Sequence, residues 1–221
     1  MRSHPESALK GCFPNMALTP STMLPLGTPL PSFELDVVPG TNLEIDGGLG
    51  ALNTISTSTL PTKPLLLMAL CAHCPFVKHI EKELTHLDQD YGDSVQLLAI
   101  ASNSLITHPQ DGPEQLAAQA KQQGWRFPYL LDTDQSLAKA LQAACTPDFF
   151  LFAPSPQGLQ RLCYRGQLDN SRPGNHAPVT GSDLRAALGA VLNGQDVSPN
   201  QQASIGCNIK WHPGQEPPWY G

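Results

Sequence analysis

The chain has 221 residues, a formal charge of -6 and only 14% charged residues, against roughly 25% in ordinary globular chains. That length suits one sizeable domain and crowds two; no basic stripe is present to hold nucleic acid, and no apolar stretch reaches the roughly 20 residues of a membrane span. Six cysteines are too sparse for a disulfide-stapled secreted module, so a soluble protein of a reducing, cytoplasmic compartment is expected.

Residues 1–15, "MRSHPESALKGCFPN", have neither an apolar h-region nor a small-residue cleavage site, and read as a disordered extension. A domain is expected over 16–195, followed by a proline-rich tail, 196–221, that packs on it. "SFELDVV" and "TNLEID", separated by Pro39 and Gly40, suit an N-terminal β-hairpin. "KPLLLMALCA" is a continuous apolar run of the buried central-strand type. From Cys74 onward Val77, Ile80, Leu84, Leu87 and Tyr91 recur at three and four, predicting an amphipathic helix that ends at Gly92. "VQLLAIAS" predicts a second buried strand, and "GPEQLAAQAKQQG" a helix entered through Pro113 and stopped at Gly124. "PYLLD" and "DQSLAKALQA" repeat the alternation. "DFFLFAPSPQGLQRLCYRG" reads as two antiparallel strands about a Pro/Gly turn, and "GSDLRAALGAVLNG" as a capped helix. The order implies an α/β fold with one central mixed sheet flanked by helices.

Cys71-Ala72-His73-Cys74 sits where the first buried strand turns into the first helix, and a Cys-x-x-Cys at that junction predicts a thioredoxin-like fold. A helix N-terminus carries unsatisfied N–H groups and about half a positive charge, so a thiol at Cys74 loses its proton more readily than at its usual pKa of about 8.5. Pro75 suits the first helical position, where its missing N–H has no partner to lose. Lys78, one turn on, adds positive charge if its side chain folds back.

Four separated blocks carry a resemblance: "CAHCPFVKHIEKEL", "ACTPDFFLF", "YRGQLDNSRPGN" with "GSDLRAALGAVLNG", and "SIGCNIKW". Together, over about 16–211, they resemble the peroxiredoxin-like branch of the thioredoxin superfamily, the alkyl hydroperoxide reductase and thiol-specific antioxidant (AhpC/TSA) family. The resemblance implies a cis Thr146-Pro147 opposite the active cysteine, with the backbone before it free to pair with a bound substrate. Laid on the thioredoxin pattern, Cys71 attacks and Cys74 resolves; laid on the Thr-x-x-Cys of peroxiredoxins, Cys74 attacks and Cys71 stands where threonine is usual. Cys74 leads as nucleophile, for its seat at the helix start and Pro75 behind it, and Cys71 is its rival.

For the resolving thiol, Cys71 ranks first by spacing, followed by Cys145, two residues before Pro147, and Cys207, on a tail able to fold back over the site. Cys12 and Cys163 read as bystanders. The implied activity is thiol-dependent oxidoreduction: a peroxide or a protein disulfide is the substrate, a thioredoxin-type protein or small thiol the electron donor, and no cofactor is needed. Arg165 and Arg172 either steer such a substrate or pair with Asp169 or Asp183 to anchor their loop. His73 and His79 either tune the thiolate, bind metal or are simply solvated, and Cys71, His73 and Cys74 could furnish part of a zinc or copper site. Trp211, Trp219 and Tyr220 are expected to pack the tail. A second reading makes the chain a non-catalytic binding protein that docks a partner or holds metal through Cys71 and Cys74; a closed metal site needs about four ligands, and no second Cys/His cluster is evident in the sequence, so no metal is assigned.

Overall fold

The computed structural model describes residues 18–41, 53–155 and 158–219. Its main sheet has seven strands in the order β3-β2-β6-β5-β4-β8-β9, formed by β2 (Glu34–Val37), β3 (Thr54–Ser56), β4 (Leu65–Ala69), β5 (Gln96–Ala101), β6 (Tyr129–Leu131), β8 (Asp148–Pro154) and β9 (Gln160–Gly166). Strands β4, β5 and β6 are parallel, while β2, β8 and β9 join antiparallel. The sheet is therefore mixed, and the α/β reading holds.

Strand β4 explains the unbroken apolar run. Leu66 and Met68 face one hydrophobic core and Leu65, Leu67 and Ala69 the other. A strand covered on both faces has no solvent side to make polar. Helix α1 (Pro75–Tyr91) lays Val77, Ile80, Leu84 and Leu87 into the first core, where fully burying each aliphatic side chain contributes about 1.5–3 kcal/mol. Helices α2 (Pro113–Gln123) and α4 (Ser182–Leu192) share that core through Leu116, Leu184 and Leu188; α3 (Ser136–Ala140) puts Leu137 into the second. The stops at Gly92 and Gly124 lie where the sequence places them, the latter with φ 69°.

The second arm of the expected N-terminal hairpin lies mostly outside the described residues; β2 pairs antiparallel with β3 on one side and with β6 on the other. Helix α4 receives no capping bond from a side chain at its own N-cap, Gly181. Asp169 instead accepts the N–H groups of Thr180 and Gly181, at 2.6 and 2.7 Å.

A second, three-stranded antiparallel sheet positions the site. Its order is β1-β10-β7, built from β1 (Leu18–Pro20), β7 (Cys145–Thr146) and β10 (Ile205–Asn208). Trp211, just past β10, is buried in the second core. No described helix is long and apolar enough to cross a membrane.

Candidate active site

Strand β4 is registered between β5 and β8, and it delivers Cys71 and Cys74 to its C-terminal end. After β4 the Leu70 N–H still bonds the Ile100 carbonyl at 3.0 Å; the chain then turns through Ala72 and His73 and enters α1 at Pro75. Cys74 occupies the N-cap position, with extended backbone angles of -65° and 123°. Lys78 N–H bonds the Cys74 carbonyl at 3.0 Å, closing the first helical turn.

Thr146-Pro147 is a cis peptide, and it lies across from this turn. The Cys74 Sγ is 3.3 Å from the Thr146 carbonyl oxygen, and the Cys71 Sγ is 3.4 Å from the Thr146 hydroxyl. The backbone before Pro147 is paired. Cys207 and Asn208 of β10 register against Thr146 and Cys145 of β7, which brings the Cys207 Sγ to 3.0 Å from the Cys74 Sγ. A disulfide bond is about 2.05 Å, so the two sulfurs are about an ångström short of joining.

Cys74 and Cys71 are essentially without solvent contact, and Cys207 is buried. Burial opposes a charge on Cys74, yet hydrogen bonds from Cys207, Cys71, Thr146 and the Val77 N–H outweigh it and hold the thiol well below its ordinary range. The Thr146 carbonyl favours the protonated form, but the donors outnumber that single acceptor. Cys71 is pushed up because it donates to Cys74 and because it is buried. Cys207 is pushed up for the same two reasons, donation first. Of the three thiols, Cys74 is the one whose surroundings favour the thiolate.

The turn is held from below by Asp111, a residue the sequence reading passed over. Its Oδ1 accepts the backbone N–H groups of Ala72 and His73 at 3.1 and 3.2 Å; its Oδ2 meets His73 Nδ1 at 2.6 Å and accepts from Asn103 at 2.8 Å. Burial disfavours its charge, but His73 and Asn103 more than compensate, and the carboxyl titrates below its usual range. The His73 ring stacks on His108, with centroids 5.6 Å apart. Nothing local signals Asp111: it closes a short 3-10 turn (Pro109–Asp111) before α2.

The remaining candidates are placed as follows. Cys145 is buried, with its sulfur 3.8 Å from the Pro147 carbonyl. Lys78 is exposed, and the Cys74 charge is held by thiols and an amide instead. Arg165 donates to the Leu24 carbonyl and to Gln201, both at 2.8 Å, which ties β9 to neighbouring segments. Arg172 donates to the Asp169 and Ser171 carbonyls and to Gln167 at 2.6–2.7 Å; it also lines a small cleft that reaches Pro147, Phe76 and Ile205. His79 meets Ser171 at 2.7 Å, and burial lowers its pKa. Cys163 donates to the Leu151 carbonyl at 3.3 Å, and burial pushes it up to about 11. Cys12 lies outside the described residues.

One group among the described residues has metal-ligand character: Cys71, His73 and Asp111, with ligand atoms all within 4.8 Å of one another. It does not include Cys74. Three ligands fall short of a closed site, and the Asp111 oxygens are already engaged by two backbone amides, Asn103 and His73.

The AhpC/TSA family model matches residues 26–161, a span that holds both the Cys71–Cys74 turn and Thr146-Pro147. This chain belongs to the AhpC/TSA family. An uncharacterized conserved protein of Geobacillus kaustophilus is 44% identical over 90% of this chain and 99% of its own, with a TM-score of 0.79. A hypothetical protein of Sinorhizobium meliloti 1021 is 41% identical over 89% and 100%, with a TM-score of 0.78. The AhpC of Mycobacterium bovis shares the fold at 17% identity, covering 80% and 97%, with a TM-score of 0.53. No match was found among curated proteins. The fold is thioredoxin-like, and the AhpC/TSA family supports a redox function in general terms.

Proposed function

We propose that this AhpC/TSA protein is a thiol-dependent peroxidase in which Cys74 attacks and Cys207 resolves. The observation that carries the reading is the 3.0 Å approach of Cys207 Sγ to the sulfur of Cys74, which sits at the N-cap of α1. The Cys74 thiolate attacks the terminal oxygen of a hydroperoxide; the O–O bond breaks, an S–O bond forms, and the departing alkoxide takes a proton from solvent. The resulting Cys74 sulfenic acid meets Cys207, whose sulfur displaces hydroxide. The Cys207 proton leaves with that hydroxide as water, and a Cys74–Cys207 disulfide remains. A dithiol donor, a thioredoxin-type protein or two equivalents of a small thiol, returns the two electrons. Sparse cysteine usage supports a reducing, cytoplasmic setting for this cycle.

Cys71 is the reserve thiol. It adjoins Cys74 and holds its own proton, so it serves as a donor to the thiolate before it serves as a nucleophile. Thr146 and Pro147 set the distance between the two sides of the site.

The test is disulfide mapping by mass spectrometry after one equivalent of hydrogen peroxide. The expected product is Cys74 joined to Cys207, with persistent Cys74 sulfenic acid in Cys207→Ser. A disulfide without Cys74, or full turnover by Cys74→Ser, overturns the assignment.

A further inference from the structure

The edge of β7 beside cis Pro147 is where an extended polypeptide would add as a further strand. In this chain that edge is taken. Strand β10 pairs with β7 on one side and with β1 on the other, so its two edges are both occupied. The segment is anchored beyond the pairing as well. The Ser204 carbonyl accepts the Ser21 N–H at 2.9 Å, and the Lys210 carbonyl accepts from Ser104 and Gln135 at 2.7 and 2.9 Å. Lys210 N–H bonds Asn103 at 2.8 Å, and Trp211 is sunk in the second core.

The close approach depends on Gly206. A Cβ there would stand 2.1 Å from the Thr146 carbonyl oxygen and 2.7 Å from its carbon, distances no side chain tolerates without moving backbone. The same approach aims Cys207, the next residue, at Cys74. Strand β10 is thus laid antiparallel on the residue before the cis proline, with its own cysteine facing Cys74, in the place an added polypeptide strand would take.

We infer that β10 is a self-docked strand that closes the polypeptide-binding edge of the site, so that the reduced protein reacts with small oxidants and is shut to protein disulfides until β10 lifts. This inference rests on the proposed role of Cys74, and it adds the specificity of that same thiol. On the other side of Pro147 a small cleft is walled by Ser204 and Ile205, and mixes apolar Phe76 and Ile80 with His79 and Arg172.

The experiment compares reduced wild type with Gly206→Ala against two probes, hydrogen peroxide and the disulfides of insulin, each in single turnover. With insulin, the Cys74 thiolate attacks one sulfur, a mixed disulfide forms and an insulin thiolate leaves; the count of released thiols reports the step. The expected result is a ratio of insulin rate to peroxide rate at least about tenfold higher in Gly206→Ala, because the variant populates the lifted state. Equal ratios in the two proteins overturn the closure while leaving the peroxidase reading standing. Loss of peroxide reaction at Cys74 in both proteins, with insulin reduced only by Gly206→Ala, overturns the peroxidase reading and supports the closure. Should Gly206→Ala fail to fold, amide hydrogen exchange of residues 205–208 in reduced wild type decides. Slow exchange is expected, and exchange at the rate of an unfolded peptide overturns the inference.

Discussion

Two buried acids flank the cis peptide, and they are driven in opposite directions. Cys74, at the start of α1, is 0% exposed, and Asp148, at the start of β8, is 1% exposed. Burial pushes Asp148 up to about 7, although Ser21 donates to it at 2.6 Å and the Phe149 N–H at 3.1 Å. The same burial loses at Cys74, where two thiols, Thr146 and a helix N–H converge on one sulfur. Depth alone does not set the charge of a buried acid. The number of donors aimed at it, and whether a helix or a strand begins there, decide the outcome.

Removing the charged member should have the largest effect. Cys74→Ser is expected to slow peroxide consumption by about a thousandfold or more, as loss of a nucleophile does, whereas Asp148→Asn should change it by less than about fivefold; a stopped-flow assay of both variants checks the contrast.

The next effect is thermodynamic, and the two acids oppose each other in it. Asp148 has a raised pKa, so its contribution to stability is full below about pH 4 and is lost as pH rises through about 7. Cys74 has a lowered pKa, so its contribution is full above about pH 8.5 and is lost as pH falls. Urea unfolding between pH 4 and 7 should therefore show Cys74→Ser losing stability with rising pH, by of order 4 kcal/mol from the one carboxyl. Asp148→Asn should gain stability over the same range. Slopes of the same sign in the two variants would sink the contrast.

A smaller change comes from the support of the turn. Asp111→Asn keeps an acceptor for the Ala72 and His73 amides but removes the negative partner of His73. It should destabilise the fold by about 1–3 kcal/mol and slow peroxide attack by about tenfold, since the turn that seats Cys74 loosens. An unaltered rate at full folding would show that the turn holds its shape without this carboxylate. Smallest of all is Cys163→Ser. That thiol is pushed up to about 11 and bonded to a strand carbonyl, so peroxide turnover should stay within about twofold of wild type.

Much of the frame was legible before any coordinates. The runs at 65–70 and 95–102 are apolar on every residue or nearly so, which happens when both strand faces are covered, and the cores on either side of β4 supply that cover. The spacing from Val77 to Leu87 marked α1 and its buried face. The short β7 and the three-stranded sheet around it were not legible: "CTP" lacks the length and alternation that mark a strand. The group that caps α4 was hidden for a related reason. Ser182 and Asp183 look like local capping residues, while the carboxylate that engages the helix entry, Asp169, stands on the preceding loop.

The site divides along the same line. The residues of the Cys71–Cys74 turn are neighbours in sequence, and their placement follows from a strand ending where a helix starts. Cys207 reaches Cys74 across 133 positions, Asp111 reaches His73 across 38, and Ser21 reaches Asp148 across 127. Spacing carries no record of such contacts, because they form only when the sheet registers bring separate segments together. The sequence by itself determined the α/β alternation and the helix-start cysteine, since these rest on local periodicity and backbone chemistry, while the proline opposite that cysteine followed from the family resemblance. Only the tertiary structure decided which thiol faces Cys74, which carboxylate steadies the turn and which strand covers the site, since those depend on pairings and burial that the folded chain alone supplies.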